Sequence, residues 1–172
     1  MNVITQEQFH ELITKSALKP RQKRELRFVA STAAMNEQDW HDTEMVAITE
    51  RSDTKGVLLL DDSSDRFLIP YELKRGMASN LTGRAQPIIC DLCRTWQSGS
   101  RAGSITFPVA GRKTISYLCC ADLRCSAHVR SKTSASKTSR SQLREDISTE
   151  ERIERLQHRL RRLVTDLAAS AL

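Results

Sequence analysis

The sequence predicts an α+β protein, and three features carry that prediction. Apolar residues recur at helical spacing near both ends of the chain, short β-rich runs broken by polar turns follow residue 44, and two close cysteine pairs lie beyond them. The expected organisation is an N-terminal helical segment (1–43), a small antiparallel β-meander (44–80), a cysteine-bearing finger (81–130), a flexible linker (131–146) and a C-terminal amphipathic helix (147–172).

The first helix begins near Thr5, because Thr5 and Gln8 have the form of a capping box and Phe9, Leu12 and Ile13 recur behind them on one face. A second helix is expected from Pro20, whose missing N–H suits the first helical position, with Leu26, Val29, Ala30 and Ala33 as its apolar face and Lys23, Arg24 and Arg27 on the other. The runs Met45–Thr49, Gly56–Leu60 and Arg66–Ile69 alternate with Ser52–Lys55 and Asp61–Asp65, as in an antiparallel meander. The acidic turn at Asp61, Asp62 and Asp65 lacks the glycine and distal glutamate of an EF-hand, and is turn chemistry.

Cys90 and Cys93 are separated by two residues, Cys120 and Cys125 by four, and 26 residues lie between the pairs. Zn²⁺ takes four thiolates in a tetrahedron with bonds of about 2.3 Å, and a two-residue spacer brings two sulfurs from one turn to one ion. Between the pairs, Ile105–Val109 and Thr114–Leu118 flank Ala110–Lys113 as a hairpin, which puts Pro108 on an edge strand or at a bulge. The segment 121–130 has helical character and carries the last ligand. Knuckle, hairpin and helix in that order make a treble clef around one structural zinc with a closed ligand shell. Adjacent Cys119 and Cys120 compete for one place. Cys120 is preferred, because Cys119, one step earlier on the strand, points the other way. His128 is a competing nitrogen ligand, but four thiolates already suffice.

Serine-rich 131–142 has low hydropathy and reads as a linker. Ser148 and Glu151 form a second capping box, and Ile153, Leu156, Leu160, Leu163 and Leu167 then make a seam that something must cover. Two and a half heptads favour packing within the chain, hence a monomer rather than a homodimer.

Charge is uneven. Residues 1–70 hold 9 Lys+Arg against 12 Asp+Glu, residues 71–125 hold 8 against 3, and residues 126–172 hold 10 against 6. A basic C-terminal half suits an anionic partner, either an acidic protein surface or RNA or DNA. Arg94, Arg112, Lys113, Arg124 and Arg130 are the candidate partner contacts, with Trp96 as a platform for a base. The sequence lacks a nucleophile elbow, a phosphate-cradling glycine-rich loop and a His-Glu-x-x-His helix, and His10, His41, His128 and His158 are scattered, so no enzyme is expected. Without a run of 18 apolar residues or a leader pattern, the expected location is the cytoplasm, where paired thiols meet metals rather than one another, with no membrane partner.

Cys90-Asp91-Leu92-Cys93, then Tyr117 to Ser126 with Val129-Arg130 behind, then Ser148 to Ile153 opening the last helix, resemble the treble-clef zinc-finger domain of the elongation factor G-binding proteins, often labelled fibronectin-binding protein (FBP) C-terminal domain, in its actinobacterial-type short form. The resemblance implies a zinc-bearing head that binds elongation factor G at the ribosome. The fusidic-acid-resistance branch of that family is similar to a single cysteine followed by His-x2-Cys-x4-Cys. Here Tyr117 stands three before Cys120 and the first knuckle has two cysteines.

Overall fold

The computed structural model describes residues 1–62, 65–76, 86–109, 113–143 and 146–169. The chain divides into two compact units, Met1–Glu72 and Leu73–Leu172.

In the first unit four short helices, α1 (Gln6–Lys15), α2 (Pro20–Glu25), α3 (Phe28–Thr32) and α4 (Glu37–His41), precede the strands β1 (Met45–Thr49), β2 (Lys55–Asp62) and the start of β3 (Asp65–Arg75). The Thr5–Gln8 capping box forms in both directions, at 3.2 and 3.0 Å. Ile4 and Phe9, at the N′ and N4 positions, both enter the core, as in a hydrophobic staple.

The second helix departs from expectation. It breaks at Leu26 (φ −67°, ψ 131°) and resumes as α3. At the break the Arg27 N–H donates to the Thr49 carbonyl at 2.9 Å, and the Arg27 guanidinium donates to Asp53 at 2.9 Å. The expected face Val29, Ala30 and Ala33 is exposed, and Phe28 is buried instead, stacked on Phe9 with ring centroids 4.5 Å apart. The physical reason is area. A phenylalanine removes more apolar surface from water than the smaller side chains it displaces, and that outweighs a few residues of continuous helix. Phe28→Ala is therefore expected to cost the first unit about 3 kcal/mol in urea unfolding, and Val29→Ala less than about 0.5 kcal/mol. An unanticipated turn of helix, α4, is capped by Asn36 with Asp39 and buries Trp40.

The meander forms as expected, with Met45 opposite Leu60 and Gly56 opposite both Thr49 and Tyr71. Both faces of β2 are buried, which explains its unbroken Val57-Leu58-Leu59-Leu60 run. Gly56 is required there, since a Cβ would sit 2.2 Å from the Ile48 carbonyl oxygen. Asp61 faces Arg66 across the β2–β3 ladder with oxygen and nitrogen 3.6 Å apart. Ser63 and Ser64 of that turn lie outside the described residues.

The second unit opens on the tail of β3, where the Gly76 N–H donates to the Ala102 carbonyl. Two small ladders follow. β4 (Ile88–Ile89) pairs with β5 (Trp96–Gln97), and β6 (Ala102–Pro108) pairs with β7 (Thr114–Cys120). Pro108 ends β6 opposite Thr114, and the next bond across the hairpin is donated by the Val109 N–H to the Lys113 carbonyl at 3.0 Å, so this pairing does not call on the N–H that proline lacks. The hairpin tip, Ala110 to Arg112, lies outside the described residues. Helices α5 (Cys125–Val129), α6 (Ser134–Leu143) and α7 (Thr149–Ala169) complete the unit.

Helix α6 corrects the linker expected over 131–146. Thr133 caps it, its Oγ1 accepting from the Ser136 N–H at 3.2 Å, and Ala135, Ser136 and Ser139 are buried as α6 packs on β5. Ser139 Oγ accepts from the Trp96 N–H at 2.9 Å. These side chains are small, which permits close approach, and their hydroxyls find partners, so the helix is held without the apolar stripe that would betray it in the sequence.

The Ser148–Glu151 capping box of α7 is present, at 2.7 and 3.1 Å. Leu156, Leu160 and Leu163 are buried, and α5 packs against this helix. Among the described residues no helix is long and apolar enough to cross a membrane.

Candidate metal centre

The first cysteine pair sits on the turn between β4 and β5. The Cys90 N–H donates to the Thr95 carbonyl at 3.0 Å and the Arg94 N–H to the Cys90 carbonyl at 2.9 Å. Arg94 takes the left-handed conformation (φ 59°), which reverses the chain just past Cys93. Asp91 fastens this turn to β7 twice: its N–H donates to the Leu118 carbonyl at 2.8 Å, and its carboxylate accepts from the Leu118 N–H at 2.7 Å. The knuckle is thereby registered against the strand that ends in Cys120. Leu123 (φ 52°) then reverses the chain again and delivers Cys125 at the start of α5.

Cys90, Cys93, Cys120 and Cys125 are all buried, and their sulfurs lie within 4.8 Å of one another. The Cys90–Cys125 and Cys93–Cys120 sulfurs are 3.9 and 3.4 Å apart. Four thiolates at about 2.3 Å from a tetrahedral ion stand about 3.8 Å apart, so the set fits one structural zinc. Burial alone would raise the Cys90 thiol, but hydrogen bonds from Cys120, Cys125 and Cys93 outweigh it and hold Cys90 well below the usual thiol range. Ligands of this kind give up their protons as metal enters, so binding is coupled to pH.

Cys119 is buried but stands apart from the cluster. Facing Gly103 across the ladder while Cys120 faces Ala102, it points to the opposite side of β7, and burial pushes its thiol up. Cys119→Ala is expected to leave the metal content unchanged and to cost about 1 kcal/mol of stability, read by metal analysis beside urea unfolding. His128 has both ring nitrogens engaged, Nε2 with the Asp122 carboxylate at 3.1 Å and Nδ1 with the Thr133 hydroxyl at 2.6 Å. That leaves no lone pair for the metal. Burial works to raise the Asp122 carboxyl, but the bond from His128 prevails and holds it below the usual carboxylate range. His128 thus ties the turn before α5 to the cap of α6.

Gln97 was invisible to sequence reasoning. It sits on β5, fully buried, and its Nε2 donates to Cys120 Sγ at 3.3 Å. A donor to a coordinated thiolate draws off part of the sulfur's negative charge and orients the sulfur. Gln97→Leu is expected to weaken zinc binding about 10- to 100-fold in chelator competition, with the fold retained at saturating zinc. The only signal in the sequence was a polar residue four places after Cys93, which many exposed glutamines share.

The candidate partner contacts are dispersed. Lys113 and Arg124 are exposed, and Arg94 is half-buried. Arg130 is half-buried and donates from Nη1 to the Ser126 carbonyl at 3.1 Å, within its own turn of helix. Arg112 lies outside the described residues. Trp96 is half-buried, its backbone bound to Ser139, and so serves the packing of α6 as well as any platform role. A deeper cation, Arg152, was not anticipated. It is buried and reaches Ser131 Oγ, Thr149 Oγ1 and the Ser148 carbonyl at 3.4, 2.9 and 3.2 Å, fastening the start of α7 to the turn after α5.

Comparison with known families matches the chain to the FBP C-terminal treble-clef zinc-finger over residues 14–167. No curated protein and no solved structure gives a match.

Proposed function

Since the chain belongs to the FBP C-terminal treble-clef zinc-finger family, we propose that it is a non-enzymatic zinc protein that docks elongation factor G, or the ribosome on which that factor works, through its finger. The observation that carries this reading is the closed set of four buried cysteines. Such a shell offers no position for water or substrate, so the metal serves to hold a surface rather than to do chemistry. Lys113, just before β7, and Arg124, on the turn into α5, are exposed charges on this surface. Exposed cations on a rigid frame suit an acidic protein face, and binding there costs little ordering entropy. A reducing cytoplasm, where the thiols stay available to zinc, is the compartment that matches.

The test is retention of purified elongation factor G, and separately of ribosomes, by the zinc-loaded protein. Lys113→Glu/Arg124→Glu is expected to weaken retention at least about tenfold at low salt, and chelated protein to retain neither partner. If neither is retained by zinc-loaded protein, the reading is wrong.

A further inference from the structure

Opposite charges are concentrated in the two units. Residues 1–72 hold 9 Lys+Arg against 13 Asp+Glu, a net of −4, whereas residues 73–172 hold 18 against 8, a net of +10. Helix α7 itself contributes a net of only +1, five arginines against four carboxylates, but its sequence places Arg152, Arg155, Arg159, Arg161 and Arg162 within three turns. Arg152 is consumed internally, as described above. The rest are arranged by helical period. Arg155, His158, Arg159 and Arg162 follow one another at steps of three, one and three, which aligns them along one stripe beside the buried leucine seam, with Arg161 on its flank.

His158, Arg159, Arg161 and Arg162 are exposed, while Arg155 is half-buried at the base of the stripe. From Arg155 to Thr165 the helix has no carboxylate. Its four carboxylates lie on either side of that stretch, Glu150, Glu151 and Glu154 before it and Asp166 after it. Glu151 closes the capping box, and Asp166, 3.8 Å from Arg162 Nε, also accepts from the Tyr117 hydroxyl at 3.5 Å. Seven residues of helix span about 10 Å, so the guanidinium groups form a short, dense row.

The chemistry of this row selects its partner. A protein interface is anchored by buried aromatic or aliphatic side chains with charge at the rim. Among the described residues the exposed large hydrophobics are Val3, Val29 and Leu118, and none lies on α7. A row of guanidinium groups without an apolar anchor suits a polyanion, in which each phosphate is met separately and bound counterions are released. The opposite face of α7 is buried, so the helix is not free to enter a B-form major groove. It offers a tangential contact, as the phosphates and 2′-hydroxyls flanking the shallow minor groove of A-form RNA require.

We propose that the arginine row of α7, Arg159, Arg161 and Arg162 with His158, is a docking surface for the phosphate backbone of structured RNA. The choice of RNA leans on the ribosomal reading above, while the row itself stands on the placement of its charges.

The experiment uses the full zinc-loaded chain and a fluorescent RNA hairpin, titrated by anisotropy over a salt series. Wild-type protein is expected to bind with a log–log salt slope near −3, about one unit per phosphate met. Arg159→Glu/Arg162→Glu is expected to bind at least about tenfold more weakly with a slope shallower by about 2, and with unchanged zinc content and circular dichroism. Lys137→Glu, exposed on α6, should stay within about twofold of wild type. Equal binding by the double variant, or a DNA hairpin of the same sequence bound as tightly as the RNA, overturns the proposal. So does polyglutamate displacing the RNA with equal strength per charge. Retention of elongation factor G is measured on the same proteins. Its loss with RNA binding intact counts against the factor-docking reading alone, and loss of RNA binding with the factor retained counts against the arginine row alone.

Discussion

Cys125→Ser is expected to abolish stoichiometric zinc and to unfold the region from the first knuckle through α5. Apparent binding free energies of roughly 10 to 16 kcal/mol are coupled to folding in small zinc domains, far more than the few kcal/mol of net stability a domain of this size holds. The loss should spread beyond the ligands. Cys125 opens α5, which is five residues long and far too short to persist on its own, and α7 packs on α5. The same outcome should follow chelation at neutral pH, or acidification, which protonates the thiolates and expels the metal. Metal analysis together with hydrogen exchange checks it: protection should vanish across β4, β5 and α5 while β1 and β2, in the other unit, keep theirs. Undiminished zinc in Cys125→Ser, or its loss from the Cys119→Ala variant with Cys120→Ser unaffected, would reverse the ligand assignment.

Leu156→Ala should produce the largest loss obtainable without touching a cysteine. Leu156 is fully buried at the centre of the α7 seam, and removing it leaves a cavity between helices that are fixed at several other points. Arg152 is bound to the turn after α5, and Tyr117 and Asp166 meet further along, so the helix has little freedom to settle into the space. The expected cost is about 2 to 5 kcal/mol, near the upper part of that range because relaxation is blocked. Leu167→Ala, at a half-buried position near the end of the same seam, should cost about 1 kcal/mol or less. Urea unfolding of the two variants at saturating zinc distinguishes them. If the two cost the same, the seam is packed against something other than α5.

The legible parts of this protein were those written in local grammar. Thr5 with Gln8 and Ser148 with Glu151 announced helix starts, because a cap is settled by residues three apart. The meander and the hairpin were readable from β-rich runs and polar turns. The four cysteines could be grouped from spacing, since ligand geometry allows few arrangements. The misreadings share a different origin. The break at Leu26 and the inward turn of Phe28 depend on Phe9 and Thr49, which are distant in sequence, and a continuous apolar pattern gave no sign of them. Helix α6 was hidden because its buried face is alanine and serine, which resemble a linker until Trp96 and Thr133 supply partners.

Sequence by itself determined the donor set, the helix caps, the strand order of the meander and the unequal spread of charge, because each is a matter of residue identity at short range. Tertiary structure alone decided which polar residues would be functional neighbours. Gln97 became a donor to Cys120, His128 was diverted from the metal to Asp122 and Thr133, and Arg152 became a buried clamp while Arg159 and Arg162 stayed in water. Such roles are set by what the folded chain brings within hydrogen-bonding distance and removes from solvent, and burial of a polar group is tolerated only where those partners exist.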